Sequence, residues 1–313
     1  MPLFEIKGQS LKPVKKTNVK LERELQSFIE KNLATIFNCR FVASEFFTGQ
    51  THAGRIDTLA LSEDNNPVII EYKKVESSEL INQSLFYLNW IYDHKGDYEI
   101  AARSAIGNDI KVDWSDVRVI CIAPNFRKYD LHAVQVMGAN IELWSYRLFE
   151  NNTLYLEQIY GKNYLPSPSP VSEINTKNPV MVAAGKKAAA TRLTGSYTFD
   201  QHIQGKPEKI KNLARAIQDY LQSLDSTITE NPKKFYVAYK TSQNIVCLET
   251  KNTKIMLWLK LDPTKMANLP DIARDVSAIG HPGTGDLELA IKNADDLEIA
   301  KPFIEQAYKL FSG

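Results

Sequence analysis

A composition break between Leu165 and Ser196 constrains this chain more than any motif in it. Pro166, Pro168 and Pro170 alternate with serines, and an Asn-Pro pair, Ala-Ala-Gly-Lys-Lys and a run of alanines follow. The prolines stiffen the first part, and the rest has no sustained apolar period, so the segment reads as an interdomain linker. It divides the 313 residues into a unit at 1–165, a linker at 166–196 and a unit at 197–313. Length alone points the same way, at about 100–200 residues per domain.

Composition narrows the classes. With 43% hydrophobic and 24% charged residues, the chain is ordinary globular material, not a collagen, a coiled coil or a disordered tail. No stretch approaches the roughly 18–20 consecutive apolar residues that span a bilayer, so no membrane partner is expected. Lys7, Lys12, Lys15, Lys16 and Lys20 open the chain with no apolar signal-peptide core behind them. Three cysteines, Cys39, Cys121 and Cys247, make no disulfide framework and suit a reducing compartment, so a cytoplasmic location is expected. The net charge of +1 gives no global attraction for a polyanion. Residues 1–165 hold 19 Lys+Arg against 21 Asp+Glu. Nucleic acid would have to be gripped through local patches, of which the N-terminal lysine run and the linker stand out. The plainer reading of that run is a solvated tail.

Periodicity gives the elements. Leu21, Leu25, Phe28, Ile29, Leu33 and Ile36 recur at helical spacing, which predicts a helix over about 20–37. Strands are predicted over 41–47, 56–61 and 68–73, with turn material at 48–54 and a tight turn at Asp64-Asn65-Asn66-Pro67. Helices over 79–94 and 97–107, a strand over 117–123, a helix over 129–137 ended by Gly138, and strands over 141–147 and 153–160 complete the first unit. The order is a mixed sheet covered by helices. In the second unit a helix over 207–224, three antiparallel strands (235–240, 245–249 and 255–261) and a closing helix over 295–311 predict an α+β domain.

The chemistry concentrates between positions 55 and 87. Side chains alternate along a strand, so Glu71 and Lys73 share a face. They end a strand that is otherwise Val68-Ile69-Ile70, where charge is costly unless it pairs or binds metal. Asp57 and Glu71 could share a hard divalent cation, with a strand carbonyl and waters completing the oxygen shell. Lys73 would then orient water or offset charge on a phosphoryl oxygen. The bland alternative is a Glu71–Lys73 ion pair at an exposed strand end. Gln83 and Tyr87 lie four apart on the following helix and share a face. Glu22 sits on the preceding helix.

Gly54-Arg55-Ile56-Asp57, Val68-Ile69-Ile70-Glu71-Tyr72-Lys73 and Gln83-Ser84-Leu85-Phe86-Tyr87, preceded by Glu22-Arg23-Glu24-Leu25-Gln26, resemble the PD-(D/E)XK nuclease superfamily in its RecB-like and NucS-like branch. The resemblance covers about residues 15–160. It implies a restriction-endonuclease-like α/β core of α-β-β-β-α-β order, followed here by a smaller α+β domain, and metal-dependent hydrolysis of phosphodiester bonds. By resemblance Asp57 and Glu71 would bind Mg²⁺ or Mn²⁺, and Lys73 would serve the water and the transition state. Gln83 and Tyr87 would support the site, and Glu22 would be the helix acid, with Glu24 the lesser candidate. Arg55 would contact phosphate or fix Asp57; Lys74, Lys15 and Lys16 are further candidates for nucleic-acid contact. The proline that names the motif is replaced by Ile56, and the N-terminal nucleic-acid-binding domain of NucS-type enzymes does not precede the core. That leaves the substrate open: DNA is expected, RNA is an alternative, and a homodimer is one option for assembly.

Tyr197-Thr198-Phe199-Asp200-Gln201-His202, Ala238-Tyr239-Lys240, Arg274-Asp275-Val276-Ser277 and Gly280-His281-Pro282-Gly283-Thr284-Gly285-Asp286 resemble a small domain of unknown function that follows such nuclease domains in bacteria. A phosphate-cradling role for the glycine-rich stretch competes with a structural turn; the Gly-Lys-Ser/Thr of a P-loop is absent and Asp286 would repel phosphate. Lys206 and Lys209 read as a solvated face. Histidines and cysteines lack zinc-ligand spacing. Two rival readings stand beside a nuclease: a catalytically inactive nucleic-acid-binding or protein-interaction module on the same fold, and a protein–protein adaptor working through the second domain's sheet.

Overall fold

The computed structural model describes residues 2–18, 21–49, 54–76, 79–137, 139–161, 197–241, 243–266 and 268–311. The expected linker, residues 50–53 of the expected turn at 48–54 and the helix-ending Gly138 lie outside the described residues. The chain forms two compact units, Met1–Thr194 and Gly195–Gly313.

The first unit opens with β1 (Leu3–Lys7), β2 (Ser10–Val14) and β3 (Lys16–Thr17). Lys7, Lys12 and Lys16 of the lysine run therefore lie in strands, not in a tail, and Lys20 lies outside the described residues. β1 and β2 form an antiparallel hairpin that turns at Gly8, whose φ of 62° suits a residue without Cβ. The single helix expected over 20–37 is two: α1 (Glu22–Glu30) and α2 (Leu33–Phe37). Asn32 breaks the run by leaving helical ψ and donating its side-chain amide to the carbonyl of Phe28 at 2.8 Å. Then come β4 (Cys39–Phe47), β5 (Arg55–Ser62), β6 (Pro67–Tyr72), α3 (Glu79–Asp93), α4 (Lys95–Ile106), β7 (Arg118–Ala123), α5 (Lys128–Met137), β8 (Asn140–Phe149) and β9 (Leu154–Tyr160).

The sheet order is β3-β8-β7-β6-β5-β4, with β9 on the other edge of β8. β4, β5 and β6 form an antiparallel meander, while β6, β7 and β8 run parallel. β6 is central and buried along its whole length, which explains its unbroken Val68-Ile69-Ile70 run. Leu59, Leu61, Ile69, Leu85 and Leu88 pack on one face beneath α3 and α4. Leu25, Ile29, Ala60, Val68 and Ile70 pack on the other, beneath α1. This is the α-β-β-β-α-β order the sequence predicts.

The second unit comprises α6 (Phe199–Ile203), α7 (Glu208–Leu224), β10 (Thr229–Pro232), β11 (Val237–Lys240), β12 (Asn244–Thr250), β13 (Ile255–Leu259), β14 (Ala273–Asp275), β15 (Leu287–Ile291) and α8 (Ala294–Phe311). Its sheet is six-stranded and antiparallel, in the order β10-β11-β12-β13-β15-β14, not three-stranded. It is the smaller α+β unit. Ile210, Ala214, Leu248, Leu257, Leu289 and Ile304 form the core between α7, α8 and one sheet face. Among the described residues, no helix is long and apolar enough to cross a membrane.

Candidate active site

The β5–β6 ladder pairs Leu61 with Pro67, Ala60 with Val68, Leu59 with Ile69 and Thr58 with Ile70, and ends there. At the next position side chains replace the main-chain partners. The N–H of Asp57 donates to Glu71 Oε1 at 3.1 Å, and the N–H of Tyr72 donates to Asp57 Oδ2 at 3.0 Å. The carbonyl of Asp57 accepts from Gln26 Nε2 at 2.7 Å. The two strands separate at their shared end, and two carboxylates fill the opening.

Burial governs their electrostatics. Glu71 is fully buried, and Glu71 Oε2 has no hydrogen-bond partner. Desolvation first, then the charge of Asp57, pushes the Glu71 carboxyl well above its ordinary range; the Asp57 N–H and Lys73 oppose this. Burial likewise raises Asp57, to about 6, against the opposing Tyr72 N–H and Lys73, with Glu45 and Glu22 adding to the rise. Both acids ionised leave Glu71 Oε2 without a donor; a shared proton or a cation supplies what the site lacks.

Lys73 and Glu22 close the cluster. Lys73 Nζ lies 3.5 Å from Glu22 Oε1, and Glu22 Oε2 accepts from the N–H of Lys74 at 2.9 Å. The helix acid thus meets the lysine across 51 residues of sequence. Tyr87 and Gln83 stand on the adjoining helix α3. Tyr87 Oη accepts from Gln83 Nε2 at 3.3 Å and from the N–H of Arg55 at 3.1 Å. Their contact is therefore with the main chain two residues before Asp57. Gly54 makes that approach possible, since a Cβ there would stand 2.8 Å from the Tyr87 ring.

The remaining candidates lie outside the cluster. Arg55 turns its guanidinium to Glu45 at 3.4 Å and is exposed. Glu24 bonds back to its own helix start, through the N–H of Leu21 at 3.2 Å. Lys15 and Lys16 belong to the strip beyond β7, where β3 pairs Lys16 with Phe149. Glu71 aligns with Leu143 through Cys121, so Lys16 is six residues further along, roughly 20 Å.

Sequence reasoning missed Gln26, which is buried and also touches Glu30 and Ser44, at 3.2 Å each. Glu22, Gln26 and Glu30 are spaced by four, a polar stripe on α1 facing the sheet; that spacing was the available signal. Among the described residues, no three of His, Cys, Asp and Glu gather into a metal cluster. A cation here would rest on the Asp57 and Glu71 carboxylates with main-chain and water oxygens. That hard-oxygen donor set, with one carboxylate oxygen unclaimed, fits Mg²⁺ or Mn²⁺.

Residues 199–310 match the family described as a domain of unknown function, DUF5655. Across nearly the whole length, the chain is 29% identical to an uncharacterized protein of Haemophilus influenzae, covering 99% of this chain and 100% of the relative. Two solved structures overlap it in part. One is an EndoMS complex with double-stranded DNA, at 15% identity and a TM-score of 0.30 over 46% of this chain and 64% of that one. The other is a repair endonuclease from Pyrococcus abyssi, at 17% identity and a TM-score of 0.25 over 41% and 48%. The chain thus covers less than two thirds of either.

Proposed function

We propose that this chain is a divalent-metal-dependent nuclease that hydrolyses phosphodiester bonds, with DNA as its substrate. The observation that carries this reading is the unclaimed Oε2 of fully buried Glu71, set beside Asp57 and Lys73 at an opened strand end. A buried ionised carboxylate with no donor is costly unless a proton or a cation serves it. Bound by Asp57 and Glu71, Mg²⁺ or Mn²⁺ would supply Lewis-acid polarisation of a phosphoryl oxygen.

The chain's own groups do the rest. Gln26 and Tyr72 fix the main chain and carboxylate of Asp57, and the Asp57 N–H fixes Glu71, so both acids are held without reorganisation. Lys73, held by Glu22, places a cation beside both acids, where it orients water or offsets charge on a phosphoryl oxygen. Arg55 and Lys74 lie at the exposed margin, where phosphates would pass.

The test is incubation of the purified chain with labelled single-stranded, duplex and forked DNA, and with RNA, in Mg²⁺, Mn²⁺ or EDTA, beside Glu71→Ala. Cation-dependent cutting of DNA that Glu71→Ala abolishes is expected. Binding without cutting under every condition would make the chain an inactive binding module instead.

A further inference from the structure

The second unit has a built cleft that the nuclease reading does not use. Alternation along β12, β13 and β15 sends Leu248, Leu257 and Leu289 toward the helices. It sends Cys247, Glu249, Met256, Trp258 and Glu288 to the opposite face. Cross-strand pairing sets Cys247, Trp258, Glu288 and Arg274 in one row, and Glu249 beside Met256 in the next. Among the described residues of the second unit, no helix packs on this face; the segment 276–286 folds over part of it.

That segment needs its glycines. A Cβ at Gly283 would stand 2.5 Å from the Trp258 ring and 2.8 Å from Cys247 Cβ. Gly285, at φ +117°, lies against the backbone of Leu259, where a Cβ would meet the carbonyl at 2.3 Å. The glycine-rich stretch is thus a close-packed turn, and it lays the His281 ring parallel to Trp258, with centroids 5.5 Å apart and 8° between planes. The ring pair helps line a cleft of about 240 Å³, together with Glu249, Lys254, Met256 and Arg274.

Its polar groups are ordered. Glu288 is buried and both its oxygens have partners: Oε1 takes Arg274 at 2.7 Å, and Oε2 takes Trp258 Nε1 at 3.2 Å. Lys251 pairs with Glu249. Lys254, also in the lining, has no carboxylate partner among the described residues, and Arg274 has N–H groups left over. The cleft therefore combines an aromatic wall, a cationic end and one carboxylate, Glu249, that can accept from a ligand donor. An inorganic anion uses only the second of these, and an aliphatic amino acid lacks the planar body.

We propose that this cleft binds a single nucleotide, its base against the half-buried His281 ring, which buried Trp258 backs, and its phosphate at Lys254 and Arg274. Stacking on an aromatic side chain serves any base. An exocyclic amine of the base meets Glu249. At about 240 Å³ the cleft is smaller than the roughly 300–1,000 Å³ of drug-sized ligand sites, so it takes at most one nucleotide. The proposal stands whether or not the first unit cleaves DNA.

The test is calorimetric titration of the full chain, in EDTA, with dAMP, a 5′-phosphorylated hexanucleotide and inorganic phosphate. One-to-one binding of dAMP is expected, weakened at least fivefold by Lys254→Ala and by His281→Ala, with both variants melting at the wild-type temperature. Tighter binding of the hexanucleotide would assign the source as a strand end, and weaker binding as free nucleotide; either supports the proposal. It is overturned if dAMP does not saturate, if both variants bind like wild type, or if phosphate binds as tightly as dAMP. It is equally overturned if Glu71→Gln abolishes the binding, which would put the nucleotide at the acids of the first unit.

Discussion

Asp57 gives its main-chain N–H to the side chain of Glu71 at 3.1 Å, at the point where the strands carrying them stop pairing with each other. The bond helps hold two acids in a dry place, and burial keeps both carboxyls above their ordinary range. A carboxyl raised in the folded state contributes stability that is full below its unfolded value, near 4, and lost as pH rises through the folded one, about 6 for Asp57. In EDTA the unfolding free energy of wild type, taken relative to Asp57→Asn, should therefore fall between about pH 4 and 6.5. The fall for Asp57 alone is on the order of 3 kcal/mol. Urea unfolding followed by tryptophan emission measures it; a difference that grows with pH would refute the assignment.

Removing a functional group should separate chemistry from grip. Asp57→Ala or Lys73→Ala is expected to abolish cleavage while DNA affinity stays within a few-fold, because on the proposed reading other lysines and arginines would meet the phosphates. A filter-binding titration beside the cleavage assay decides. Parallel loss of binding would mean that these residues dock or fold the chain.

Tyr87→Phe deletes one oxygen that serves two donors, the N–H of Arg55 and the amide of Gln83. Leaving a partly buried N–H unmet costs about 1–3 kcal/mol, and the strand before Asp57 loses its anchor. Activity should fall with the melting temperature. An unchanged melt and unchanged activity would make the phenol a bystander.

The hairpin changes how its lysines are best tested. β3 pairs with β8, so truncation should stop before it. Removing residues 1–14 takes away Lys7 and Lys12 and spares Lys15 and Lys16. Each phosphate neutralised on duplex DNA contributes about −0.9 to the slope of log affinity against log salt. If both lysines bind phosphate, the slope should become shallower by about 1–2; an unaltered slope would exclude the hairpin from the interface.

What was legible in the sequence was what local patterning encodes. The β-branched run before Glu71 marked a buried central strand, and Asp57, Lys73 and Glu22 could be assembled from order and spacing. What was not legible depends on distant partners. Gln26 matters because a carbonyl 31 residues away lies open to it, and nothing beside Gln26 announces that. The lysine-rich start hid a hairpin because exposed strands need no apolar alternation. β14 is three residues long and held by pairing with β15, too short for a periodic signal. In the second unit, the glycines of the 280–286 stretch announced a turn, but not the tryptophan beneath it.

The burial of β6 also orders events during synthesis. Glu71 acquires its dry surroundings only when β7 lies alongside, and β7 ends at Ala123. The neighbouring strand β8 ends at Phe149. Parallel pairing of this kind closes long loops and forms late. A growing chain that has emerged only as far as α3 already contains Glu22, Asp57, Glu71, Lys73 and Tyr87, yet it has a bare strand edge where the acids should be enclosed. The ribosome thus delivers the last of these residues, Tyr87, 36 residues before the end of β7 at Ala123, and the acids are enclosed only once the sheet closes.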